Sequence, residues 1–177
     1  MKRNHCTFII GGTRSGKSGL AVERAKKLGR HVLFVATCVP RDEEMKKRVR
    51  SHKRSRPRSW RSLEAGGRLA PELRSMKDPL DAVIIDCVGL FVSNLMEMEL
   101  SDTAIIREVR MAIRAIRKIS SEVIIVSNDV GSGIVPANAA ARRFGDIIGL
   151  ANQMIAQEAD EVIVMHSGIP TRIKGGA

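Results

Sequence analysis

Residues 7–18, TFIIGGTRSGKS, constrain this chain more than any other stretch. Thr7 to Gly11 has the apolar character of a short buried strand, and Lys17 to Leu28 reads as a helix carrying Leu20, Ala21 and Ala25 near one face. Gly29 ends it, as glycine commonly does just past a helix. Between strand and helix lies Gly11-Gly12-Thr13-Arg14-Ser15-Gly16-Lys17-Ser18, which fits G-x-x-x-x-G-K-[ST] at every fixed position. A glycine-rich loop in that setting wraps a phosphate with backbone N–H groups. The first turn of the following helix adds the positive end of its dipole. Lys17 is predicted to reach the β- and γ-phosphates of a nucleoside triphosphate, and Ser18 to ligate Mg²⁺.

The rest of the chain repeats the alternation of strand and helix. Further strands are predicted at His31 to Thr37, Ala82 to Asp86, Val123 to Val126 and Glu161 to Met165, with the last residues able to add an edge strand. Helices are predicted over Arg41 to Arg54, Leu90 to Met98, Ile105 to Ile119 and most of Asn138 to Ala159. Strands that are apolar on both faces and separated by helices form a mainly parallel sheet covered on both sides. The expected fold is a three-layer α/β P-loop NTPase, with its ligand at the carboxyl ends of the strands. Asp86 ends the strand AVIID, where an acidic residue supports the Mg²⁺ ion of such folds.

At 177 residues and 44% apolar content, the expected organisation is one catalytic domain over residues 1–177. No apolar run reaches the roughly 18 residues of a membrane span, and the start does not read as a secretory signal, so a cytoplasmic protein is expected. Cys6, Cys38 and Cys87 are odd in number and far apart, and His5, His31, His52 and His166 are scattered. Neither set has the spacing of a disulfide framework or a zinc site. The net charge of +11 is concentrated: Lys46 to Arg61 holds nine basic residues and no acidic one, and without it the chain is at +2. Such a stretch attracts anions, phosphates first.

Within that stretch Met45, Val49 and His52 share a helix face. A neutral imidazole nitrogen can attack phosphorus to give a phosphoramidate, with nearby arginines stabilising the transferring group. By spacing alone His52 also fits a half-buried histidine beside a solvated basic face. Trp60, the single tryptophan, has two readings, a base-stacking platform or a core anchor. The loop Ser127 to Pro136, with two glycines after a strand, is either a substrate-binding edge or a shaped turn.

Taken together these segments resemble one family, the bifunctional adenosylcobinamide kinase/adenosylcobinamide-phosphate guanylyltransferases of cobalamin biosynthesis. The resemblance runs almost end to end: GGTRSGKS, FVAT, DEEMKKRVRSHK, RPRSWRSLE, IIDCVGLFVSNL, VSNDVGSGIVPANAAARRFGDIIGLANQ and ADEVIVMHSGI. It implies two reactions. A nucleoside triphosphate phosphorylates the aminopropanol hydroxyl of adenosylcobinamide. GTP then donates GMP to that phosphate through a GMP-histidine intermediate, giving adenosylcobinamide-GDP and pyrophosphate. His52 occupies the position of that histidine. The resemblance further implies nucleotide contacts at Gly11 to Ser18, at Ala36, Thr37 and Cys38, at Lys53, Arg54, Ser55 and Arg56, and at Glu64 and Asp86, together with homotrimeric assembly. Ala137-Asn138 stands where many members carry an acidic residue, Ser93 where threonine is common, and the chain has no N-K-x-D guanine motif.

Two other functions fit parts of the sequence. One is a P-loop small-molecule kinase without guanylyl transfer, in which His52 is structural. The other is a nucleic-acid binder using Lys46 to Arg61; four phenylalanines, one tryptophan and no tyrosine leave it few stacking platforms. No nucleic-acid partner is therefore expected.

Overall fold

The structure is a computed structural model that describes residues 4–40, 42–54, 56–76, 78–131 and 133–175. The side chains of Arg48, Ser51 and His52 lie outside that description, as do the whole of Arg41 and Ser55. Seven strands form one sheet: β1 (His5–Gly11), β2 (Val32–Ala36), β3 (Arg61–Glu64), β4 (Ala82–Asp86), β5 (Glu122–Asn128), β6 (Glu161–His166) and β7 (Ile169–Lys174). Their spatial order is β3-β2-β4-β5-β1-β6-β7. The first six are mutually parallel and β7 runs antiparallel against β6. The architecture is the α/β P-loop NTPase class that the sequence predicts.

Helices α1 (Lys17–Leu28), α2 (Glu43–Arg54), α3 (Leu69–Arg74), α4 (Val88–Glu97), α5 (Asp102–Ile119) and α6 (Ala139–Glu158) connect the strands. Two apolar clusters flank the sheet. Ala21, Val22 and Ala25 of α1 pack with Ile9, Phe34, Ile84 and Ile124 on one face. On the other, α3 to α6 cover Phe8, Leu33, Ile85 and Ile125. The amphipathic pattern read in α5 is the buried face observed, with Ile105, Val109, Ala112, Ile113 and Ile116 inside. Most predicted boundaries shift by one to three residues, and at α2 and α6 a capping residue sets where the helix starts. Asp42 Oδ1 accepts from the Met45 N–H at 2.7 Å, so α2 begins at Glu43. Asn138 accepts from the Ala141 N–H at 3.1 Å and caps α6 instead of lying within it.

Two elements fall outside the predicted set. β3 is a four-residue edge strand with three of its four residues exposed, so it carries no apolar signature. α3 is six residues long and contains Pro71, but Leu69, Ala70 and Leu73 are buried.

Candidate active site

Because β1 to β5 are parallel, their carboxyl ends meet along one edge of the sheet. β1 runs into the glycine loop. The Ser15 N–H returns to the Gly12 carbonyl at 3.3 Å, and Gly16 takes φ 94°, the left-handed conformation that glycine adopts freely. No side chain caps α1, so the N–H groups of its first turn stay turned toward the loop. Gly11 is needed for a different reason: a Cβ there would lie 2.3 Å from the Met165 carbonyl oxygen of β6.

Lys17 is buried at the base of this loop. Its ammonium donates to the Gly12 carbonyl at 2.6 Å and approaches Ser15 Oγ at 3.4 Å. Burial lowers its pKa, and the neighbouring Cys87, Asp86 and Asp129 act in the opposite direction. Two acidic residues thus stand within electrostatic reach of the lysine, at the ends of β4 and β5.

The end of β2 is locked to the end of β4. The Thr37 hydroxyl donates to the Cys87 carbonyl at 2.7 Å and accepts from the Cys87 N–H at 2.8 Å. Asn94 of α4 donates to the Thr37 carbonyl at 2.8 Å. This clasp fixes where Asp86 projects. Burial, with the Asp86 charge adding, pushes the Cys87 thiol up to about 12. Burial and Asp86 raise Cys38 as well. Neither thiol supplies a thiolate nucleophile at neutral pH.

Cationic groups approach from the segment after α2. The Arg56 guanidinium stacks 3.4 Å above the Phe34 ring centroid. Burial lowers its pKa, while Asp86 and Glu64 hold it charged. Its Nη1 is buried with no hydrogen-bond partner among the described residues. Lys53, in the last turn of α2, forms an ion pair with Glu64 at the end of β3. That pair brings the basic helix to the strand edge.

A family model described as cobinamide kinase / cobinamide phosphate guanyltransferase matches residues 7–173. The chain belongs to this family. It is similar to the bifunctional adenosylcobalamin biosynthesis protein CobU of Salmonella typhimurium, at 36% identity with 94% of this chain and 98% of that protein covered. The protein of that name in Escherichia coli is 35% identical over the same shares, 94% and 98%. CobP of Pseudomonas aeruginosa is 34% identical, with 95% and 96% covered. Two solved structures share the fold alone. The flagellar accessory protein FlaH of Methanocaldococcus jannaschii superposes with a TM-score of 0.57 at 11% identity, covering 99% of this chain and 80% of its own. The RadB recombinase does so at 0.53 and 15%, covering 92% and 74%.

In this member of the cobinamide kinase / cobinamide phosphate guanyltransferase family, the strand edge assembles most of the residues singled out in the sequence. Gly11 to Ser18, Cys38, Glu64 and Asp86 sit at or just beyond strand ends, and Arg56, from the segment after α2, reaches over Phe34 of β2. Ala36 and Thr37 are buried, and the Thr37 hydroxyl is engaged by Cys87, so these two frame the edge from within. Lys53 and Arg54 close α2. His52 lies in the same turn with its side chain outside the described residues, and Ser55 lies outside them altogether. Met45 and Val49, which share the His52 face, are half-buried, whereas the other described side chains of α2 are exposed. Trp60 is a core anchor: it is 8% exposed and packs in the α1-side cluster. Asp129 was legible only as part of a polar loop. Its place beside the glycine loop follows from strand order, which periodicity does not give.

Proposed function

We propose that this chain catalyses both reactions of its family as one catalytic domain over residues 1–177. It phosphorylates adenosylcobinamide with ATP or GTP, then transfers GMP from GTP to the new phosphate. The observation that carries the reading is the buried Lys17 ammonium held 2.6 Å from the Gly12 carbonyl, inside a glycine loop at an uncapped helix start. Such a group exchanges a loop carbonyl for phosphate oxygens at small cost. Backbone N–H groups of Gly12 to Ser18 then bind the phosphates while Lys17 stabilises charge on the transferring group.

Ser18 and Asp86 would hold Mg²⁺. Their oxygen-only donors fit it, and among the described residues no cluster of three His, Cys, Asp or Glu side chains offers a closed metal cage. Mg²⁺ characteristically takes one or two protein oxygens and completes its shell with substrate phosphates and water. When bound it would neutralise phosphate charge.

In the first reaction the acceptor hydroxyl oxygen forms a bond to the γ-phosphorus and the nucleoside diphosphate leaves. In the second, a His52 imidazole nitrogen attacks the α-phosphorus and pyrophosphate leaves. The corrinoid phosphate then displaces the imidazole and takes the GMP. Lys53, Arg54 and Arg56 bring positive charge to the nucleotide, Ser55 belongs to the same set of nucleotide contacts, Glu64 positions Lys53, and Ala36, Thr37 and Cys38 close the inner wall. Homotrimeric assembly and a cytoplasmic location belong to the same proposal. No helix among the described residues is long and apolar enough to cross a membrane.

The test is incubation with α-labelled GTP and Mg²⁺ followed by a denaturing gel, with His52→Ala in parallel. Retained label on the wild type, acid-labile and absent from the variant, is the expected result. No label on either, with nucleotide binding intact and adenosylcobinamide still phosphorylated, would leave a small-molecule kinase and sink the guanylyl-transfer step.

A further inference from the structure

We infer that Asp129 is the general base of the kinase step, taking the proton from the acceptor hydroxyl. The inference rests on the reading above and adds a residue to it.

β5 lies between β4 and β1 in the sheet, so the residue following β5 emerges directly beside the glycine loop. The Asp129 N–H donates to the Gly11 carbonyl at 3.0 Å, tying its backbone to the first glycine of that loop. The preceding residues are held from the opposite side. Asn152 of α6 donates to the Asn128 carbonyl at 3.0 Å and accepts from the Ser127 hydroxyl at 2.6 Å. Asp129 is therefore fixed at its backbone on both flanks while its side chain is exposed. No described residue claims its carboxylate by hydrogen bond or ion pair, yet Lys17 is within its electrostatic reach.

Asp86 is placed differently. It sits one strand further from the glycine loop, against the Thr37–Cys87 clasp and within reach of Arg56. Two carboxylates within electrostatic reach of Lys17, carried by neighbouring strands, fit two tasks, one supporting the metal and one free for proton transfer. The chain beyond Asp129 presents Val130, Ile134 and Val135, which are 42%, 97% and 76% exposed. An acceptor arriving at Asp129 meets apolar side chains, suited to a bulky substrate with apolar surface and not to a second polyphosphate.

The step balances as follows. The hydroxyl oxygen bonds to the γ-phosphorus, the bond from that phosphorus to the β,γ-bridging oxygen breaks, and the diphosphate leaves with the electron pair. The hydroxyl proton passes to the Asp129 carboxylate and from there to water. The second reaction makes no such demand, because its attacking groups are a neutral imidazole and an already ionised phosphate.

The experiment compares Asp129→Asn and Asp129→Glu with the wild type. Asp129→Asn keeps the backbone N–H and the side-chain shape. Its kcat for adenosylcobinamide phosphorylation should fall about 100-fold or more, with KM for the triphosphate within about threefold. GMP labelling of the enzyme and GMP transfer to pre-phosphorylated adenosylcobinamide should continue at the wild-type rate. Asp129→Glu should recover a measurable part of the kinase rate. An unchanged kcat in Asp129→Asn overturns the inference. So does a parallel loss of both activities, or a loss confined to triphosphate KM, since each marks a structural or binding role. Should Asp129→Asn fail to fold, Asp129→Glu decides: a folded variant with no kinase rescue overturns the inference. Absence of kinase activity in the wild type would instead strike the reading on which it rests.

Discussion

The Gly168 N–H donates to the Ser15 carbonyl at 3.2 Å, so the hairpin that ends the sheet braces the middle of the glycine loop. Ser167 and Gly168 both take positive φ, 50° and 85°, as a tight two-residue hairpin turn requires. The turn therefore serves two structures, the β6–β7 hairpin and the phosphate loop.

Replacing Gly168 isolates the conformational part of that role. A Cβ at this position meets nothing within 4 Å, so Gly168→Ala adds no clash. It does place a side chain on left-handed backbone, which costs about 1 kcal/mol. Urea unfolding should show a loss of that size, and weaker triphosphate binding should accompany it as the turn relaxes away from Ser15. Undiminished nucleotide affinity at reduced stability would separate the turn from the loop.

Gly11 makes the opposite case, where space decides. The 2.3 Å approach of an added Cβ to the Met165 carbonyl oxygen would force β1 from β6 at the point where β1 enters the loop. Gly11→Ala should destabilise the protein by about 3 kcal/mol, the upper part of the overpacking range. It should also abolish saturable triphosphate binding. A thermal melt and a nucleotide titration on the same sample check both, and a variant that melts and binds normally would contradict the packing.

These two glycines mark how far the sequence could be read. Gly11 is legible because the motif demands it and a strand precedes it. Gly168 is not, because its hydrogen bond joins residues 153 positions apart along the chain. The same division runs through the site. Lys17, Ser18 and Asp86 follow from local pattern, since each is defined by the end of an apolar strand or the start of a helix. Asp129 and Asn152 depend on β5 lying next to β1, and β3 and α3 are too short and polar to leave a period. Trp60 could not be assigned from its arginine neighbours, because burial against α1 is a tertiary property. Thr37 was legible as a strand end, but its clasp on Cys87 was not.

Arg56 offers a test of the cationic flank. Its flat guanidinium lies 3.4 Å over Phe34 with Nη1 buried and unpartnered among the described residues. Arg56→Lys keeps the charge but loses the planar stack and the fork of donors. The expected result is a KM for GTP raised about 10-fold in GMP labelling, roughly 1.4 kcal/mol, with little change in melting temperature. A changed melting temperature and an unchanged KM would make Arg56 a cover for Phe34 and nothing more.

Glu161 ties the phosphate-binding half of the sheet together, and its ionisation should set part of the acid limit of stability. Its carboxylate accepts from Thr7 Oγ1 of β1 at 3.1 Å, and pairs with Arg24 of α1 at 2.7 Å and Arg172 of β7 at 2.8 Å. Burial opposes its charge, but the Arg24 hydrogen bond and charge, with Thr7 and Arg172, hold its pKa below the ordinary carboxylate value. The unfolded chain therefore binds this proton more tightly than the folded one. The resulting stability is complete above the unfolded value of about 4.3 and is lost as pH falls through the lower folded value. Glu161→Gln removes the charge while retaining the shape and leaves Arg24 without its partner. Because Arg172 is half-exposed, the loss at neutral pH should be about 2 kcal/mol, below the range for a fully buried pair. Urea midpoints measured from pH 7 to pH 3 should start lower in the variant and converge on the wild type as the acid limit is approached. Curves that stay parallel over that range would show that Glu161 is protonated in neither state or in both, and that the three contacts act by packing alone.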